Sequence, residues 1–102
     1  MDMKKMMKQA QKMQRDAAAA QQEIAAMTFE ASAGGGMVKA TATGEMAITD
    51  ITIDPAAVDP EDVEMLQDMV VAAVNEALRA ASEAANARMN AVMGGMKIPD
   101  LM

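Results

Sequence analysis

The chain has 102 residues, no cysteine, no histidine and a single aromatic side chain, Phe29, and it carries a net charge of −6. This length supports one domain, the cysteine count excludes a disulfide framework, and the commonest general base, activated nucleophile and transition-metal ligands are all missing. The 52% apolar fraction is mostly Ala and Met, so a core without aromatic bulk is poor for its size and gains from completion by a second copy.

The periodicity predicts a first helix over residues 2–27. Met3, Met6, Met7, Ala10, Met13, Ala17, Ala20, Ile24 and Met27 recur at the spacing of an apolar stripe. On the other side, at about 100° per residue, Lys4, Lys5, Lys8, Lys12 and Arg15 fall within an arc of about 100°. Residues 1–15 sum to +4 and residues 16–102 to −10. An acidic chain has thus placed its positive charge on one face of one helix, a pattern suited to a phosphate-rich partner. Opposite charges at i,i+4, which would mark a self-paired solvated face, are nearly absent there. Aromatic platforms for stacking unpaired bases are lacking. Gln9, Gln11 and Gln14 lie at the edges of the basic face or beyond it, so no base-reading set accompanies the cations.

The period changes at Thr28. Residues 29–33 read as a short strand, Gly34-Gly35-Gly36 as a turn, and Val38–Thr43 as a half-buried strand with two-residue alternation. Gly44-Glu45 turns the chain again, and Met46–Ile53 is a third, β-branched strand. Ile51 and Ile53 share a face while Ile48 is out of phase, which predicts a bulge near Thr49-Asp50. Short turns between successive strands imply an antiparallel meander. Asp54-Pro55 ends the sheet.

Asp59 is the expected N-cap of a second helix, with Pro60 at its first position and acids in the first turn. Its apolar stripe runs from Val63 through Ala81, and the helix extends over about residues 60–93, to a stop at Gly94-Gly95. Residues 94–102 form a short tail. The fold class is α+β, an α-β-β-β-α protomer in a single domain over residues 1–102.

Other chemistry is weakly supported. The acids at Asp54, Asp59, Glu61, Asp62 and Glu64 match no calcium loop and suit a helix start. Gly34-Gly35-Gly36 lacks the Gly-Lys-Ser/Thr of a phosphate cradle and suits a turn needing positive φ. Methionine pairs such as Met3/Met6 and Met93/Met96 could bind a soft metal, but at helical spacing they serve packing. The chain reads as a non-enzyme with no cofactor, no metal and no small-molecule substrate. No apolar run approaches ~18 residues and the charged N-terminus is unlike a signal peptide, so a cytoplasmic location without membrane insertion is expected.

Several stretches resemble, in order, the YbaB/EbfC family of bacterial nucleoid-associated proteins. They are residues 6–14, Ser32-Ala33-Gly34-Gly35-Gly36-Met37-Val38-Lys39, Ile53-Asp54-Pro55, residues 64–70, Ala73-Val74-Asn75-Glu76-Ala77 and Gly94-Gly95-Met96-Lys97-Ile98-Pro99. The resemblance implies a tweezer-like homodimer joined through its sheets, with helix ends projecting. It also implies binding of double-stranded DNA, a place in the nucleoid, and roles in nucleoid organisation and gene expression. Its basic helical residues correspond here to Lys4, Lys5, Lys8, Lys12 and Arg15, with Arg79 and Arg88 on the second helix. Ala17 to Ala20 and Ala84 to Ala87 depart from relatives that carry charge there. The alternative is a protein-interaction module that uses the Met-rich helices without DNA.

Overall fold

The computed structural model describes residues 2–94. The order is α1 (Met3–Ala26), β1 (Thr28–Ala33), β2 (Val38–Thr43), β3 (Ile48–Ile53), one 3-10 turn at Pro55–Ala57, and α2 (Val63–Met93). This is the α-β-β-β-α order and the α+β class expected from the periodicities. Asp2 caps α1 by accepting the Lys4 N–H at 3.1 Å. The expected short tail, residues 94–102, lies outside the described residues beyond Gly94.

The sheet is antiparallel in the order β1-β2-β3. Thr41 pairs with Asp50 and Ala42 with Ile48, which leaves Thr49 as an extra residue on β3. The expected bulge is therefore present. It brings Ile48 back into phase, so that Ile48, Ile51 and Ile53 share the face of Ala42, Ala40 and Val38.

Two expected boundaries differ. Met46 and Ala47 lie in the β2–β3 turn, Met46 with φ +64°, so β3 starts two residues later than expected. The second helix also starts later, and its N-cap is Asp62, not Asp59. Asp59 Oδ1 accepts the Glu61 N–H at 2.9 Å and the Asp59 carbonyl accepts the Asp62 N–H at 2.9 Å. These bonds close a turn with Pro60 at its second position, where a preset φ is equally useful. Asp62 Oδ1 then accepts the Met65 N–H at 3.2 Å. The Asp-Pro-acidic signal suits either a cap or a turn, and the second acid decides it.

The core is thin. Ala73, Ala77 and Ala81 repeat every fourth residue along α2 and are fully buried, as are Val38, Ala40 and Ala42 beneath them. Small side chains on both surfaces let helix and sheet approach closely, and Val38 is the largest side chain buried completely among the described residues. α2 lies across β1 and β2. It does not extend over β3, so Ile51 stays 40% exposed and Ile53 38% exposed.

All three loop glycines are left-handed, with φ of +63°, +68° and +93° for Gly34, Gly35 and Gly36. A methyl group on Gly35 meets open space, whereas one on Gly34 runs into the Met69 side chain. Gly35→Ala should therefore cost about 1 kcal/mol through backbone strain alone, and Gly34→Ala more. Urea midpoints of the two variants will rank them in that order.

Candidate nucleic-acid interface

The two helices run antiparallel where they meet. Asp16, Ala19, Gln21, Ile24 and Ala25 of α1 lie beside Val92, Ala91, Met89 and Ala85 of α2. Arg88 Nε donates to Glu23 Oε2 at 2.9 Å and clasps the helices together. Ala20 and Ile24 are the buried residues of α1. Every residue from Asp2 to Lys12 is exposed. The first half of α1, about 15 Å at ~1.5 Å per residue, therefore extends past the packed body of a molecule whose long axis is 72 Å.

Lys4, Lys5, Lys8, Lys12 and Arg15 are all exposed on this free part and its continuation. Among the described residues no carboxylate pairs with any of them. The first turn of α1 contains no acid, so Lys4 and Lys5 sit at the positive end of the helix dipole. That placement opposes helix formation by a few tenths of a kcal/mol per charge, and an anion bound there would relieve it. Met3, Met6 and Met7 are 75%, 54% and 61% exposed, so the front of the apolar stripe is uncovered in the protomer.

Arg79 and Arg88 are placed differently from the lysines. Arg79 donates to Glu76 through Nε at 3.0 Å and Nη2 at 2.6 Å, and it also pairs with Glu83. These bonds hold the Glu76 carboxyl below its ordinary range and raise the Arg79 guanidinium. The Arg88 hydrogen bond likewise lowers Glu23. With a folded pKa below the unfolded value, the Glu23 clasp contributes above that value and is lost as pH falls through the depressed one; full exposure keeps it small. The Glu76-Arg79-Glu83 spacing was readable as helix-surface pairing. The Glu23–Arg88 pair joins positions 65 apart and left no sequence signal.

The structure thus gathers the five N-terminal cations on one free helix face and sets the two arginines of α2 among carboxylates. Among the described residues no group of three or more acids could hold a metal ion, and no helix is long and apolar enough to cross a membrane.

A family model described as the YbaB/EbfC DNA-binding family matches residues 1–96. A nucleoid-associated protein of Ruminiclostridium cellulolyticum is 54% identical over 95 residues, covering 93% of this chain and 83% of the relative. One from Pelotomaculum thermopropionicum is 53% identical over 100 residues, covering 98% and 95%. Among solved structures, an uncharacterized protein of Helicobacter pylori matches with a TM-score of 0.74 at 23% identity, covering 95% of this chain and 99% of that one. The α-β-β-β-α fold is shared with it.

Proposed function

The chain belongs to the YbaB/EbfC DNA-binding family, and from that premise we propose that it binds duplex DNA as a homodimer through the free half of α1. Binding has little sequence selectivity and alters DNA conformation, and through it the protein acts in the nucleoid on nucleoid organisation and gene expression. The observation that carries this reading is the set of cations Lys4, Lys5, Lys8, Lys12 and Arg15, unpaired among the described residues, on a helix whose dipole Lys4 and Lys5 oppose. Phosphate supplies what that face lacks. Arg79 and Arg88 would have to exchange their carboxylates for phosphate, so their share is smaller. A mobility shift on unrelated duplexes across a salt series tests the reading. Two helix ends neutralising five to ten phosphates give a slope of roughly −4.5 to −9 in log affinity against log salt.

The homodimer is supported by the uncovered inner face of β3, where Ile51 and Ile53 lie beside a core built largely of alanine. In an isolated protomer Ile51→Asp would be mild, because that side chain already meets water. Covered by a partner, the same carboxylate is buried without a counter-ion, and folding and association are lost together. Ile51→Asp should therefore lower the melting temperature by more than 10 °C, on the scale of about 4–8 °C per kcal/mol for a chain of this size. Light scattering that found a folded wild-type monomer at micromolar concentration would remove the dimer from this reading.

The protein-interaction alternative rests on the exposed Met3, Met6 and Met7. Binding through them would be nearly independent of salt, which separates the two readings in one experiment.

A further inference from the structure

The molecule has a second pole. From residue 40 to residue 78 the chain carries nine acids and no Lys or Arg. Part of this acidic stretch surrounds an open cleft of about 480 Å³ where the 3-10 turn and the start of α2 face the β1–β2 loop. Its floor is apolar, formed by Met37, Ala57, Met65 and Met69, and Asp59 and Asp62 stand at its edge. Each aspartate commits Oδ1 to a backbone N–H, which leaves Oδ2 to face a cation. Nearby Val58, Val63 and Met65 are 53%, 51% and 58% exposed.

We propose that this cleft docks the free end of α1 from a second copy of the chain, with Met3, Met6 and Met7 on the apolar lining and the long side chains of Lys4 and Lys5, at the two edges of the basic arc, reaching Asp59 and Asp62. Charge and apolarity match on both surfaces: one is a methionine stripe flanked by the edge lysines Lys4 and Lys5, the other a methionine-lined cleft that carries two aspartates. The two cannot meet within one protomer. The overlap of α1 with the end of α2 sends the free half of α1 away from the start of α2, along a 72 Å axis. The contact is heterologous, head to tail, and so builds open chains instead of a closed pair. It is distinct from the β3 face, whose apolar contact does not depend on salt.

Sedimentation velocity of the full chain without nucleic acid tests this, and its outcome is independent of whether DNA binds. At about 50 mM salt the weight-average mass should rise from about 5 to about 200 µM protein, to at least twice that of the species at about 500 mM salt. Asp59→Asn with Asp62→Asn keeps the turn acceptor of the first and the cap of the second while removing their charge, and it should abolish the rise with the circular dichroism unchanged. Lys4→Glu with Lys5→Glu should abolish it as well. An equimolar mixture of the two double variants should associate again, because one brings an intact cleft and the other an intact helix end. A mass that does not change with concentration at low salt overturns the proposal. So does persistent association in either variant, or a mixture that stays apart.

Discussion

Changing Lys4, Lys8 and Lys12 together to glutamate will nearly abolish duplex binding and flatten its salt dependence. The substitution turns residues 1–15 from +4 to −2, and in a dimer it removes up to six phosphate contacts. At about −0.9 per phosphate this takes most of the slope away, and at moderate salt the affinity falls by roughly 10³-fold. The fold should not suffer. All three side chains are exposed and none of them is paired among the described residues. Glutamate near the start of a helix also complements the dipole that lysine opposes, so helicity should hold or rise. The rest of the protein is acidic and repels DNA, which makes these few charges decisive. Titration of the variant and the wild type against one duplex at one salt concentration is the check. Equal affinities would mean that the lysine face is only solvated, and binding through the methionine stripe would become the better reading.

Gly44→Ala is expected to be the most damaging alanine substitution among the described glycines, costing about 3 kcal/mol or more. Helix α1 passes into β1 through the single residue Met27. The β2–β3 turn is pressed against that junction, and the Gly44 N–H donates to the Met27 carbonyl at 3.1 Å. A Cβ at Gly44 would lie on the backbone carbonyl of Ile24. That atom belongs to a helix and cannot rotate away as a side chain can, so α1 must move from the sheet or the turn must open. Ile24 is one of the two buried residues of α1, and displacing it loosens the packing on which the free basic end is mounted. Against the total stability usual for a small domain, about 5–15 kcal/mol, such a loss is large. Urea denaturation of Gly44→Ala beside Glu45→Ala, an exposed neighbour, measures it; equal midpoints would show that the junction yields without cost.

Much of the architecture was legible because local chemistry and tertiary packing agree. The switch from a helical to a two-residue period at Thr28 located the sheet. The phase of Ile48 against Ile51 and Ile53 located the bulge, since a single extra residue is what returns all three to one face. The start of α2 is ambiguous in sequence because Asp59-Pro60 satisfies a turn as well as a cap. Only the hydrogen bonds of Asp59 and Asp62 distinguish them. Gly44 has the local signature of a turn residue, and nothing local marks the closer constraint, which comes from a helix twenty residues earlier in the chain.

The basic face of α1 follows from the sequence alone, because helical period and charge fix which side chains share a side wherever that helix is placed. The same holds for the missing catalytic groups and for a core poor in aromatic bulk; that the core is alanine with Val38, and that most described methionines stay exposed, was decided by packing. Tertiary structure decided which charges are available. The pairing of Arg79 with Glu76 and Glu83 is local to α2 and follows from its spacing, but only folding sets Arg88 beside Glu23, while the lysines of α1 pair with no described carboxylate. It also decided that α2 covers β1 and β2 but not β3, and that the acidic cleft lies at the opposite pole from the basic helix. Those outcomes depend on where rigid elements end in space, and periodicity within one element carries no information about that.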